Sequence, residues 1–288
     1  MTDPIGIAGA GRVAQAMGRL LLERGLPVVC IASRNLQHAS AAADFVGRDI
    51  RAVSYSDIPR DAHRVLIAVP DSAIAEVSHM LAVGGLRGGL ALHTCGTQGP
   101  DALHELMDRD VSCGTIHPLQ TVISAEQGVR ALAGCAFAVD GDGPAVHWAE
   151  QMAASLGGEI LRIPQDLRPL YHAGAVMASN YIVSLIGAAQ HLMEMAGVSP
   201  ERSLYVLEPL LKATLENVLQ QGPVAALTGP IERGDSGTVA AHLRALESAP
   251  EEIRVLYRAA GLETLEIAAA RGLAAGPASL INQQLRGN

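Results

Sequence analysis

The first half of the chain alternates between short apolar runs and amphipathic stretches of roughly ten to twenty residues. "IGIAG", "PVVCIA", "RVLIAV", "GLALHT" and "SCGTIH" are apolar almost without a break. Strands of that kind, joined by helical crossovers, build a mostly parallel sheet covered on both faces. Two more strand-like pieces, residues 136–139 and 158–163, flank a helical run that begins near Pro144. The alternation ends at "RIPQD" (Arg162 to Asp166), and helical periodicity takes over. "LYHAGAVMASNYIVSLIGAAQHLMEMAG" reads as one helix of about 40 Å, at ~1.5 Å per residue, stopped by Gly197. "SPERSLYVLEPLLKATLENVLQQG" and "SAPEEIRVLYRAAGLETLEIAAARG" add amphipathic helices with acids in their first turns. The expected fold class is α/β followed by all-α, with domains at 1–163 and 164–288.

The segment "IGIAGAGRVAQAMGRLLLERG" carries the first chemistry. Gly9, Gly11 and Ala14 fit G-x-G-x-x-A between an apolar strand and an amphipathic helix. Gly9 permits the tight turn, and Gly11 lets backbone approach a pyrophosphate. The small residue at 14 brings helix close to strand, and the first helical N–H groups face the phosphates. In this strand–turn–helix setting the motif predicts a Rossmann dinucleotide-binding domain, with Ala10, Arg12 and Val13 beside the glycines at the cofactor.

The end of the second strand selects the cofactor. A site for NAD would present Asp or Glu there to hold the ribose 2′-hydroxyl. This chain has "CIASRN", so Ser33 and Arg34 stand ready for a 2′-phosphate. NADP is the predicted cofactor, although Arg34 also reads as a solvated loop arginine. "AVPDSAI" ends the fourth strand, placing Val69 and Pro70 beside the cofactor ribose, with Asp71 capping the next helix. "LHTCGT" ends the fifth, where Thr94 becomes part of the nicotinamide floor.

Composition narrows the function classes. Hydrophobic residues make up 49% of the chain and aromatics only 3%, so the core must be aliphatic. A formal charge of −8 argues against nucleic acid or an anionic membrane as partner. Cys30, Cys95, Cys113 and Cys135 form no CxxC pair, which predicts buried thiols in a reducing cytoplasm and no metal site. The N-terminus has no basic region before its first strand and reads as lacking a signal peptide. Ala173 to Ala189 is the one span-like stretch; its Ser179, Asn180 and Ser184 favour a buried helix in a soluble protein.

Several side chains remain as candidates for the reaction. In "CGTIHPLQT", Pro118 must end a strand, so His117 sits at a strand terminus, where open α/β sheets hold ligands. His172 stands early on the long helix. Seven steps at about 100° bring Ser179 onto its face, Asn180 borders the stripe, and Tyr171 points elsewhere. Each histidine also reads as a hydrogen-bonded structural residue. An ordinary imidazole suits reversible proton transfer near neutral pH. In "TGPIERGDSGTVAAHL", Asp235, Ser236 and Thr238 can cap a helix. Arg233 is then left on a loop to grip a carboxylate or to pair with Asp235. Gln120, just beyond His117, joins Arg233 on the substrate side.

"GIAGAGRVAQAM", "ASRN", "AVPDSAI", "IHPLQT", "YHAGAVMASN" and "TGPIERGDSGTVAAHL" together resemble a family of NADP-dependent oxidoreductases that pair a Rossmann domain with a helical C-terminal domain. The wider superfamily, 6-phosphogluconate dehydrogenase C-terminal-like, includes pyrroline-5-carboxylate reductase, ketopantoate reductase, prephenate dehydrogenase and the β-hydroxyacid dehydrogenases. The resemblance implies hydride transfer to or from a small carboxylate-bearing substrate, and a homodimer built through the helical domains. It also sets His117 beside the "HP" histidine of prephenate dehydrogenases, which meets the reacting hydroxyl. The lysine that ketopantoate reductases carry four residues before an asparagine is missing: Val176 occupies that offset from Asn180, and the chain's only lysine is Lys212. His172 is therefore the first choice as proton donor and His117 the second, unless the substrate is an iminium that is already protonated. The readings left open are a reductase, a hydroxy-acid dehydrogenase, and a protein that binds NADPH without turnover.

Overall fold

The computed structural model describes residues 3–287. Eight strands form one sheet: β1 (Ile5–Ala8), β2 (Val28–Ala32), β3 (Arg51–Val53), β4 (Arg64–Ile67), β5 (Leu90–His93), β6 (Ser112–Pro118), β7 (Ala136–Gly141) and β8 (Glu159–Arg162). Their order is β3-β2-β1-β4-β5-β6-β7-β8. Every neighbouring pair is parallel except β6 and β7. Pro118 is the last residue of β6 and lies opposite Phe137 of β7. Sequence order reverses between β1 and β4, and ligands of open α/β sheets bind at such a switch point, beyond the strands' carboxyl ends.

Period-two alternation sends successive strand residues to two separate cores. On one face Ile5, Ile7, Leu66, Leu92 and Ile116 pack with α1 (Arg12–Glu23), α2 (Leu36–Val46) and further helices α5 (Ala125–Leu132) and α6 (Gly143–Ser155). Phe137 and Trp148 are buried in that otherwise aliphatic layer, and Phe45 packs against it. On the other face Cys30, Val65, Ile67, Ala91 and Cys113 pack against α3 (Ile74–Val83) and the short α4 (His104–Met107). All four cysteines are unpaired.

The chain separates into two compact units, the first ending at Ser179 and the second beginning at Asn180. Residues 163/164, the boundary read from the pattern, follow the last strand; the first unit continues through α7 (Arg168–Ala178). The single long helix expected from Leu170 to Gly197 is two, α7 and α8 (Asn180–Met195). Ser179 leaves the helical region at φ −125°, ψ −75°, so alignment of His172 with Ser179 along one helix face is lost.

The second unit is helical: α8, α9 (Pro200–Ala226, kinked at Gly222), α10 (Ser236–Ala245), α11 (Glu251–Ala270) and α12 (Ala275–Arg286). Its core is small, with Ile231, Val239, Leu265, Ala268, Ile281 and Leu285 at the centre. Residues Gln165–Met195 are long and apolar enough to cross a membrane by length and composition alone. Contrary to the expectation of a buried helix, no residue of α8 is buried within the chain. Tyr181, Val183 and Leu185 are among its exposed apolar side chains, and the unit's small core forms on other helices.

Candidate active site

The glycine turn is built as its residue types require. Gly9 has φ +132°, and a Cβ there would collide with the Ala68 carbonyl oxygen. A Cβ on Gly11 would meet nothing within 4 Å, because that position faces the open cleft. Gly11 is also the N-cap of α1, so the first N–H groups of that helix have no intrahelical acceptor. The cleft in front of them measures about 580 Å³. Gly9, Ala10, Gly11, Arg12, Val13, Ser33, Arg34, Val69, Pro70 and Thr94 all line it.

Two further residues at its Arg34 end, His38 and Tyr55, escaped the sequence reading. His38 lies one turn beyond Arg34, a signal available in "SRNLQH". Tyr55 is buried, and burial pushes its phenol above the ordinary value against the pull of the Arg34 charge. Open backbone at Gly11, free helix N–H groups and an arginine without an accompanying acid fit a pyrophosphate and a 2′-phosphate. Asp71 lines the cleft but caps no helix. It opens a 3₁₀ turn (Asp71–Ala73) that carries the chain into α3, whose N-cap is Ala73.

Beyond Thr94 the β5 loop turns under a cluster of rings. A Cβ on Gly96 would lie 2.6 Å from His172 Nδ1 and 2.8 Å from His117 Nε2, so both imidazoles pack directly on that glycine. The ring centroids of His117 and His172 are 5.7 Å apart, as are those of His117 and Tyr171. His117 Nδ1 and Tyr171 Oη are hydrogen-bonded at 3.0 Å. Tyr171 therefore does not point away. Successive residues of α7 diverge by about 100°, but His117 stands at the strand end where both can reach it.

Electrostatics follow from burial. The His117 ring is pushed down to about 4, first by desolvation, then by the neighbouring His172 and Arg168, with Asp71 opposing. It is neutral at pH 7. Burial and Cys135 raise the Tyr171 phenol against the Arg168 charge. His93, fully buried, accepts from Cys95 N–H at Nδ1 and donates from Nε2 to the Gly99 carbonyl, which ties the loop together. Arg168 is also fully buried: Nη2 donates to the Cys95 carbonyl at 3.1 Å, while Nε and Nη1 have no protein partner among the described residues.

The remaining predicted residues lie elsewhere. Gln120 is exposed, its amide donating to Ala131 O of α5 and its side-chain carbonyl accepting from Thr121 N–H. Ser179 ends α7 and Asn180 opens α8. In the second unit Arg233 is exposed beside Asp235, which caps α10 by accepting from Thr238 N–H and Oγ1. Lys212 is exposed and paired with Glu208 one turn away. Among the described residues no group of His, Cys, Asp or Glu is placed to hold a metal ion.

The cleft and its glycine turn define a dinucleotide-dependent oxidoreductase. Residues 4–90 match a family profile described as NADP oxidoreductase, coenzyme F420-dependent, and residues 135–264 match a domain of unknown function, DUF2520. The protein is an NADP-dependent oxidoreductase with that helical domain at its C-terminal end.

Solved structures share the fold. A candidate NADP oxidoreductase from Bacteroides fragilis is 24% identical, with a TM-score of 0.74 over 93% of this chain and 98% of its own. Pyrroline carboxylate reductase from Plasmodium falciparum, solved with NADP bound, is 13% identical, with a TM-score of 0.61 over 97% of both chains. A reductive aminase from Aspergillus terreus, solved with NADPH, is 15% identical, with a TM-score of 0.58 over 100% of this chain and 93% of its own. No curated protein matches.

Proposed function

We propose that the protein is a cytoplasmic NADPH-dependent reductase acting on the C=O or C=N bond of a small carboxylate-bearing molecule. The observation that carries this reading is the ring cluster on Gly96, two residues beyond the cleft residue Thr94. NADPH supplies a hydride when bound. The chain's residues then have to hold the substrate and manage one proton.

His117, neutral and bonded to Tyr171, suits that role better than His172, for which the sequence argued first. With the Tyr171 hydroxyl donating to Nδ1, His117 carries its own proton on Nε2, the atom packed on Gly96. A neutral imidazole in this state donates a hydrogen bond to a carbonyl oxygen as negative charge develops there. Oxygen takes the Nε2 proton, Nδ1 takes the Tyr171 proton, and solvent restores the phenol. An iminium substrate needs no such transfer, and the cluster then only orients it. His172, packed on the same Gly96, walls the other side. Two of the structural relatives are a pyrroline carboxylate reductase and a reductive aminase, names that both describe C=N reduction, and this supports the imine branch.

The helical unit supports a homodimer. Tyr181, Ile182 and Leu185 share one side of α8 and are 55%, 42% and 44% exposed, too apolar a face to leave in water. A double change, Tyr181→Asp with Leu185→Asp, converts the dimer to monomer by light scattering if this face is the interface.

The test of function is NADPH oxidation, followed by absorbance, across a panel of 2-keto acids and cyclic imines. Turnover with one member, reduced at least about a hundredfold in His117→Ala with unchanged NADPH affinity, is the expected result. Tight NADPH binding without turnover across the panel would replace this reading with a nucleotide-responsive binding protein.

A further inference from the structure

A fully buried arginine with two N–H groups lacking protein partners needs an explanation, because desolvating a guanidinium is expensive unless it is paired. Arg168 sits in the first turn of α7, three residues before Tyr171 and four before His172, so all three share one helix face. Its single protein bond goes to the Cys95 carbonyl. The next residue is Gly96, against which both imidazoles rest.

We propose that Arg168 is a positioning residue of the site: it fixes the Cys95–Gly96 peptide under the two imidazoles and adds its buried charge to the surroundings of His117. The proposal deepens the reductase reading and rests on it for the catalytic consequence only. Three observations support it. Among the described residues, the bond to Cys95 O is the one hydrogen bond that a side chain of α7 makes to the loop after β5. Arg168 is among the groups that hold the His117 ring, and separately the His93 ring, below the ordinary imidazole value. The chain offers no lysine for this region, since Lys212 is engaged with Glu208 in the other unit.

The groups facing His117 are known from each neighbouring element. Tyr171, His172 and Arg168 come from α7, and Asp71 comes from the connection after β4. Asp140 of β7 lies near enough to Arg168 to favour its charge. Burial does most to keep the ring neutral, His172 and then the Arg168 charge add to it, and Asp71 opposes them weakly. A neutral His117 can accept from Tyr171 on one nitrogen and donate from the other. A protonated one would donate from both, and the Tyr171 hydroxyl would have to turn its proton away from the ring.

The test uses the apo protein with labelled histidine, so it does not depend on finding a substrate. The His117 resonance, assigned by its loss in His117→Asn, is titrated by NMR in wild type, Arg168→Gln, Arg168→Met and Arg168→Lys. Circular dichroism checks that each variant is folded. The charge-free variants should raise the His117 midpoint by about half a pH unit, and Arg168→Lys should keep it near the wild-type value. With a substrate in hand, Arg168→Gln should lower kcat at least about tenfold and move the acid limb of the pH profile upward, with NADPH affinity unchanged. An unmoved His117 midpoint in Arg168→Gln or Arg168→Met overturns the proposal, and so does a raised midpoint in Arg168→Lys. Failure of the wild type to turn over any substrate overturns the reductase reading and leaves the NMR result to decide the role of Arg168.

Discussion

The neutrality of His117 has a consequence for stability that can be measured without any substrate. The folded ring is held at about 4, against 6.5 for an ordinary histidine. Between those values the unfolded chain binds a proton that the folded chain refuses, so acidification favours unfolding. Stability from this group is complete above the unfolded value and is lost as pH falls toward the folded one. Full titration amounts to about 3 kcal/mol, of which about 2 kcal/mol is lost between pH 7 and pH 5. His117→Asn keeps a polar group at the strand end but cannot titrate. Urea unfolding at the two pH values, followed by the fluorescence of Trp148, reports on this unit, because the chain's single tryptophan is buried in its core. The prediction is that the wild type loses about 2 kcal/mol more than His117→Asn on going from pH 7 to pH 5. His93, also pushed down by burial, is present in both chains and cancels in the comparison. Equal losses in the two proteins would refute the assignment of a buried, neutral His117.

Three other substitutions probe different parts of the account. Arg34→Ala should weaken NADPH binding about tenfold or more while leaving NADH affinity nearly unchanged, read by fluorescence titration, because only the 2′-phosphate uses the guanidinium. Gly96→Ala places a methyl 2.6 Å from His172 Nδ1 and 2.8 Å from His117 Nε2. It should destabilise the fold by about 1–3 kcal/mol and displace both imidazole signals in the NMR spectrum. Asp235→Ala removes the cap of α10 and should cost about 1 kcal/mol in urea unfolding, with NADPH binding intact.

Much of this arrangement was legible from local pattern. Continuous apolar runs and the glycine turn place β1, β2, β4, β5, β6 and the cofactor cleft, because period and turn chemistry are local properties. The short β3, with its exposed Arg51, carries no such run. The reversal between β6 and β7 is set by how Gly114 to Pro118 pair with Phe137 to Gly141, a tertiary choice that apolarity does not encode. The break at Ser179 falls in an apolar stretch without proline, so helical periodicity ran through it.

The ring cluster was half visible. His117 and His172 stood out by type and position. The bond from His117 to Tyr171 crosses 54 residues of sequence and depends on where α7 meets the sheet edge. Arg168 was passed over because arginine usually faces water. The signal was present in "RPLYH": a proline opening the helix, with arginine and histidine four apart on one face.

The most direct measurement of the central claim is a crystal structure of the protein with NADP bound. The account predicts the pyrophosphate across Gly9 and Gly11, the 2′-phosphate on Arg34, and the nicotinamide beyond Thr94. Between its C4 and His117 Nε2 there should be room for one C=O group, its carbon about 3–3.5 Å from C4 and its oxygen about 2.6–3.2 Å from Nε2. A nicotinamide lodged away from Gly96, or a dinucleotide bound outside the glycine turn, would contradict it.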